Sequence, residues 1–569
     1  MTDPEPLAAE TRGLVLRMLP DGAEGAATVA AACEWTVRAI ADGNARLPLS
    51  RLAGRTRRQL LALASGEEEA SGSGEPAPGA DAQDPAFPDE DALAALLRAA
   101  PDVVFDAASG ADPDASSAPF VLDRGALSTR RNHRCARRIR ARLAAIGREP
   151  DLPVPDDPAT LAGLTGEQLA AVRLLCAKSF SILSGGPGTG KTFTLARAVR
   201  LVRGDKPELR LCLAAPTGKA AARMKESLDA SCARDGVPPP DHVEATTLHR
   251  LLGYNPVKGT LRHGPDNPLP ADWVVIDETS MVDLLLFGHL LDALPPGARL
   301  TLIGDRDQLA SVERGCVLRD LCDAGYPVAR LTASKRFPPD GAIARFAAAV
   351  NGGDADAAVE LLRAGDPDLE WNDHAAAADK GPAAWPGFAA AVREGFAAFA
   401  AARTPEEALA RAADARVLCA VRKGPYGVDR VNDFVRSVLP REAPVPVMVA
   451  HNDRDQDVRN GDVGVVLPSD RDTVWLEPSV PDAPPRAVPR LLLPDLETAY
   501  ATTVHKSQGS EYGTVAVVLP REDGCPLLTR EILYTAVTRT RRGVRLWASE
   551  AAVRRCASTS VDRVTGLDG

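Results

Sequence analysis

Aromatic residues are scarce in this chain, at 4% of 569 residues. Its cores must therefore be built from Ala, Leu and Val, and a nucleic-acid groove would have few rings on which to stack bases. The ten cysteines form no C-x-x-C pair and lie scattered along the sequence. That speaks against an iron–sulfur or zinc module and fits buried thiols in a reducing compartment. No apolar run approaches the ~18 residues of a membrane span, and the N-terminal stretch lacks the shape of a signal peptide. The expected location is cytoplasmic, with no membrane partner. An excess of positive charge is also missing: the net charge is −10. A protein that coats DNA by bulk charge is excluded, whereas a basic channel on an acidic body is not.

With 45% hydrophobic residues, the chain has enough apolar material for roughly three or four domains. The most informative segment is Gly185-Gly186-Pro187-Gly188-Thr189-Gly190-Lys191-Thr192. It fits G-x-x-x-x-G-K-[ST], the phosphate-binding loop of nucleotide hydrolases. Ser179–Ser184 before it reads as a short buried strand and Phe193–Val202 after it as a helix. Strand, glycine loop and helix together supply the backbone N–H groups and positive helix end that a polyphosphate requires. Lys191 is then positioned for the β- and γ-phosphates, and Thr192 for Mg²⁺.

The same alternation continues through Leu211–Ala215, Trp273–Ile276 and Arg299–Ile303. Short apolar strands separated by helices predict a parallel sheet covered on both faces. A second region of this kind starts near Ala333 and includes Ala415–Val421, Thr514–Leu519 and Gly543–Ala548. Between its halves, short runs and turns over 443–495 predict a small all-β insert. Residues 1–65 read as helical, and an acidic Gly/Ser/Pro run over 66–90 as a flexible loop. A strand-like piece follows at Pro119–Asp123, and Pro153–Pro158 reads as a linker. Arg130–Arg142 is a strongly basic helix. It reads as a solvated arginine face or, functionally, as a partner interface or a DNA-backbone contact.

Asp277 and Glu278 end an apolar strand beside the phosphate loop. That is where an acid holding Mg²⁺ belongs, with its neighbour orienting and deprotonating the attacking water. Gln308 sits at another strand end and is suited to sensing the γ-phosphate; Gln168, upstream of the loop, is suited to reading the adenine edge.

Taken in order, these segments resemble the motifs of a superfamily 1 helicase, and within it the RecD family of exonuclease V subunits. Ala214–Ala221, Ala245–Leu252, Leu331–Phe337, Ala501–Tyr512 and Leu533–Arg541 resemble further motifs of the superfamily. The narrower likeness rests on Leu418–Val428, Pro446–Val449, Asn452-Asp453 and Asn460–Gly464. It is strong from about 161 to 549 and weaker before 150.

The resemblance implies an α/β fold of two RecA-like motor domains, at 151–333 and at 334–442 with 496–569. It further implies an SH3-like β insert at 443–495 and a mainly helical, partner-docking N-terminal domain at 1–150. ATP and Mg²⁺ are the implied cofactors. The implied catalytic groups are Lys191, Glu278, Gln308, Arg336 and Arg539, the last two reaching the nucleotide from the second domain. Nucleotide binding would fall to Gln168, Gly185, Gly186, Pro187, Gly188, Thr189, Gly190, Lys191, Thr192 and Glu511, and Mg²⁺ to Thr192 and Asp277. Thr217, Thr247, His249, Thr503 and His505 suit phosphates and sugars of single-stranded DNA, with a cap or turn role as the alternative for any one of them. The implied activity is ATP-driven 5′-to-3′ translocation at DNA ends, for double-strand break repair, beside RecB- and RecC-like subunits in a heterotrimer. No separate nuclease site is evident, so that activity would belong to a partner. Two other readings remain: a nucleotide-switch assembly subunit, and a stand-alone RecD-like helicase.

Overall fold

The computed structural model describes residues 4–20, 22–65, 85–112, 114–234, 243–310, 315–375, 380–451, 453, 455–456, 458, 459–478, 483–493, 495–521, 525–561 and 563–567. Of the acidic run expected to form a loop, residues 66–84 lie outside this set.

The N-terminal region holds the expected helices, Pro4–Met18, Ala26–Ala41 and Arg57–Ser65, and also a sheet. Its strands are β1 (Arg46–Pro48), β2 (Val104–Asp106), β3 (Phe120–Asp123) and β4 (Ala126–Thr129), in the order β1-β4-β3-β2. Only β3 is legible in sequence. β3 shows as a short apolar run, whereas the other three, of three or four residues, show neither such a run nor a period of two.

The phosphate-loop region forms a six-stranded, all-parallel sheet. It comprises β5 (Phe180–Gly185), β6 (Leu211–Ala215), β7 (Glu244–Thr247), β8 (Trp273–Ile276), β9 (Arg299–Gly304) and β10 (Val328–Leu331), in the order β10-β5-β9-β8-β6-β7. Both faces are covered, so β5, β6, β8 and β9 read as largely apolar runs, whereas the edge strands β7 and β10 do not. Fully buried Trp273 donates its indole N–H to Thr301 Oγ1 (3.0 Å), which lies 3.1 Å from Ser181 Oγ. One short polar ladder thus satisfies three buried groups across three strands.

The second parallel sheet opens with β11 (Leu369–Asn372) and β12 (Ala415–Cys419). The chain then makes the insert, an antiparallel sheet of β13 (Val445–Val449), β14 (Val463–Leu467), β15 (Asp470–Leu476), β16 (Arg486–Pro489) and β17 (Leu496–Thr498), ordered β16-β15-β14-β13-β17. It returns through β18 (Ala501–Thr503), β19 (Tyr512–Val518) and β20 (Thr540–Trp547), completing the order β11-β20-β19-β12-β18. Insert side chains reach the first sheet's domain: Lys219 pairs with Glu477 (3.7 Å), and a methyl group on Gly218 would stand 2.7 Å from Arg459 Cδ.

Two long-range features tie these units together. The basic helix extends over Arg130–Ile146 and packs along Leu284–Ala293 of the first parallel domain. Cys135, Ile139 and Leu143 are buried in that domain's apolar cluster with Phe287 and Leu290. Arg142 donates to the carbonyls of Leu291 and Leu294 at 3.0 Å. This helix is therefore neither simply solvated nor free: one face closes the neighbouring domain's core. The second tie is the segment after the helix Glu550–Ser558. Val561 O accepts from Arg319 (3.0 Å), Val564 O accepts from Ala45 N–H (2.9 Å), and Leu567 is buried.

Candidate active site

The phosphate loop follows β5 and ends in the helix Lys191–Asp205. Gly188 (φ +75°) and Gly190 (φ +87°) adopt left-handed backbone that side chains rarely take. A methyl on Gly188 would stand 2.6 Å from Arg336 Cβ, and one on Gly185 would meet Thr189 Oγ1 at 2.7 Å. The loop can thus be neither bulkier nor straighter. Lys191 Nζ donates to the carbonyls of Gly185 (2.7 Å) and Gly186 (3.0 Å), and Thr189 Oγ1 to Gly186 O (2.8 Å). Gln168 lies beside the loop, with its Nε2 2.9 Å from where a Gly190 methyl would be. It also forms a capping box with Thr165, which fixes the start of helix Gly166–Ala177.

Asp277 and Glu278 follow β8 on the same edge of the sheet. Glu278 has φ +49°, a strained conformation for a residue with a side chain. Its N–H donates to Asp277 Oδ1 (2.8 Å). Burial and the adjacent Glu278 charge push the Asp277 carboxyl up to about 6, against the pull of Lys191. A carboxylate so placed is stabilised by a further cation, and a Mg²⁺ site of one carboxylate, one hydroxyl and phosphate oxygens is a common design.

Gln308, buried next to Asp305, donates Nε2–H to Asp305 Oδ2 (2.9 Å). Its Oε1 is buried with no hydrogen-bond partner among the described residues. An orphan amide oxygen of this kind at a cleft marks a place for a donor.

The second domain closes over this surface. Ser334 Oγ donates to Pro187 O (2.9 Å), and Lys335 N–H to Gly188 O (2.9 Å). Arg336 forms an ion pair with Glu511 and donates to Thr538 O (3.3 Å). Burial lowers its pKa, as do the guanidiniums of Arg539 and Arg541, with Glu511 opposing. Arg539 is buried and donates to Thr535 O (3.2 Å). Arg541 takes the other oxygen of Glu511 (3.4 Å). The Glu511 carboxylate, expected at the nucleotide, is thus bound to two arginines of its own domain. Tyr534 reaches back from helix Arg530–Val537 to donate to Asp305 Oδ2 (3.0 Å), and Thr535 Oγ1 accepts from Leu309 N–H (3.1 Å). Gln508 Nε2 donates to Leu309 O (2.9 Å).

The sequence leaves Tyr534, Asp305 and Ser334 without roles, although Tyr534 and Ser334 lie inside quoted motifs. A hydroxyl between domains has no signature of its own.

The threonines proposed for DNA all cap local structure. Thr217, Thr247 and Thr503 Oγ1 each accept, at 3.2 Å, from the amides of Ala220, Arg250 and Lys506. Each cap uses the hydroxyl only as an acceptor, so capping and donation to a phosphate are compatible. His249 is exposed with Tyr254 against its ring at 5.6 Å. His505 is half-buried, and burial and Arg563 hold its pKa low, favouring the neutral form. Thr217 and Thr247 leave the C-terminal edge of the first sheet, the edge that also bears the loop and Asp277, and Thr503 leaves that of the second. Among the described residues no helix is long and apolar enough to cross a membrane.

Residues 168–314 match the AAA domain family and residues 498–547 the UvrD-like helicase C-terminal domain family. RecBCD enzyme subunit RecD of Mycolicibacterium smegmatis is 40% identical over 451 residues, 75% of this chain and 78% of that protein. Its counterpart in Mycobacterium tuberculosis is 42% identical over 427 residues, covering 70% and 72%. The ATP-dependent RecD2 DNA helicase of Deinococcus radiodurans is 34% identical over 393 residues, 67% of this chain and 48% of that protein.

Proposed function

This chain belongs to the RecD family, and from that premise we propose that it is the ATP-driven, 5′-to-3′ translocating subunit of a RecBCD-type complex. In such a complex it pulls on single-stranded DNA at broken ends during recombinational repair, beside RecB- and RecC-like subunits, in the cytoplasm. The observation that carries the reading is the cleft itself. One wall is a phosphate loop with a carboxylate pair and an orphan amide oxygen. The other is a second domain whose Ser334 and Lys335 meet the loop, with Arg336 and Arg539 behind them, bonded within their own domain.

In this cycle Lys191 leaves the loop carbonyls to meet the β- and γ-phosphates, and the loop amides take the remaining charge. Thr192 and Asp277 are the groups that would hold magnesium. That ion neutralises phosphate charge when bound. Glu278, fixed by its strained backbone, orients water for in-line attack and accepts its proton. Arg336 and Arg539 face the transferring phosphoryl group, where charge develops. Gln168 reads the base, and Glu511 holds Arg336 in place for the nucleotide. Gln308 senses the γ-phosphate through the second hydrogen of its amide nitrogen, while its unpaired oxygen accepts from the attacking water, and it passes that state to Asp305 and hence to Tyr534. The domains then close and reopen, while Thr217, Thr247, His249, Thr503 and His505 hold the DNA backbone in turn. Backbone contacts carry no base identity, so translocation is independent of sequence.

The test is DNA-stimulated ATP hydrolysis and strand translocation by the purified chain and by Lys191→Gln. Loss of a positioned charge at such a site costs on the order of 10²-fold or more in turnover. Near-normal turnover in the folded variant would sink the assignment. ATPase without translocation, alone or with partners, would instead favour a nucleotide switch.

A further inference from the structure

Away from the cleft, a cavity of about 330 Å³ opens between the basic helix and Leu284–Ala293. Arg130, Arg131, Arg134, Arg138 and His289 line it, over Leu285. Asp114 answers Arg134 at 2.7 Å, and Asp292 answers Arg138 at 3.0 Å. Asp283, nearby, accepts from the amides of Leu285 and Leu286 as a helix cap. No carboxylate among the described residues pairs with exposed Arg131. His289 adds no charge at neutral pH, because burial and the Arg138 guanidinium hold its pKa low. The cavity is therefore cationic in a chain whose net charge is −10.

Its place in the fold narrows the ligand. Helix Leu284–Ala293 starts six residues after Glu278, from the strand edge that also carries Thr217 and Thr247. Cys135 and Ile139 share one apolar cluster with Leu248 and Leu252, which flank His249. The cavity thus flanks the helix that follows the strand edge carrying Thr217 and Thr247. Its size suits a sugar–phosphate unit, with aliphatic arginine stems against the sugar and planar guanidinium forks on the phosphate oxygens.

We propose that the cavity bounded by Arg130, Arg131, Arg134 and Arg138 is a second phosphodiester-binding site. It holds DNA backbone beyond the stretch occupied by the motor cleft. The inference rests on the reading of the chain as a DNA motor, and the experiment separates the two. Binding of the full chain is measured across a salt series with a short single strand that saturates the ATPase. The same series is run with one extended by tens of nucleotides, for wild type and for Arg131→Gln/Arg134→Gln.

The expected result is a fall in the salt slope on the long strand only, of about 0.7 from Arg131 alone and up to about 1.4 where Arg134 also exchanges Asp114 for a phosphate, at ~0.7 for each phosphate no longer neutralised. Short-strand binding and ATPase should match wild type, and inorganic phosphate should compete more weakly with the long strand in the variant. An unchanged long-strand slope overturns the site. So does an equal change on both strands, which places the effect in the cleft. Unchanged DNA binding with lost co-purification of partner subunits also overturns it, by assigning the cavity to protein carboxylates. If the wild-type chain fails to bind the short strand, it is the motor reading that falls.

Discussion

The Tyr534 hydroxyl donates to Asp305 Oδ2 at 3.0 Å, and the same carboxylate oxygen accepts from Gln308 at 2.9 Å. One oxygen thus joins the side chain assigned to the γ-phosphate with a helix of the opposite domain. That helix ends two residues before Arg539. A hydrogen bond to a charged group is worth ~1.5–3 kcal/mol. Tyr534→Phe removes this one and little else. DNA-stimulated turnover should fall about 10-fold for each ~1.4 kcal/mol lost from the closed state, with ATP affinity largely kept. Wild-type turnover in Tyr534→Phe would show that the hydrogen bond does not couple the domains.

Glu278→Gln separates binding from chemistry. Lys191, Thr192 and Asp277 remain, so nucleotide should bind while hydrolysis drops sharply and the closed DNA complex accumulates. Equilibrium nucleotide binding and single-turnover hydrolysis report the two effects separately. Weakened binding with intact hydrolysis would reassign Glu278.

The Glu511 pair sets a pH dependence. Burial opposes ionisation of Glu511, but Arg336 and Arg223 prevail and hold its carboxyl below the ordinary Glu range of about 4.3. A folded-state pKa lower than the unfolded one adds stability above the unfolded value, lost as pH falls through the folded value. The stability difference between wild type and Glu511→Gln should therefore stay level from about pH 8 to 5 and shrink only in stronger acid. Denaturation midpoints across that range test this. A difference that already disappears near pH 6 would mean that the pair contributes little.

Ile139 lies in the N-terminal region by sequence but in the first motor domain's core by packing. Ile139→Ala should cost about 2–5 kcal/mol. Hydrogen exchange should quicken in Trp273–Ile276 and Leu284–Ala293. Faster exchange confined to residues 46–129 would place the helix with the N-terminal sheet instead. For the same reason, a fragment beginning near Pro153 would strip Cys135, Ile139 and Leu143 from that core. Truncation there cannot distinguish docking from folding.

The candidate nucleotide site is legible in sequence because its chemistry is local. Gly185 to Thr192, Asp277-Glu278 and Gln308 each sit at a strand end, where a few consecutive residues must satisfy backbone geometry and charge together. The strands β5, β6, β8, β9 and β12 are legible because burial on both faces forces largely apolar runs, and β19 and β20 because each ends in a buried apolar stretch. Strands β1, β2, β4, β7, β10, β11 and β18 are not, because three or four residues hold no readable period and their pairing partners decide them. Only the tertiary structure decided where the arginines go. The sequence shows thirteen residues dense in positive charge at 130–142. Packing turned one face into the core of another domain and left Arg131 beside a cavity. It likewise bound Glu511 to Arg336 and set Tyr534 on Asp305. Pairings between groups hundreds of residues apart follow from how sheets and helices stack, and no local pattern encodes them.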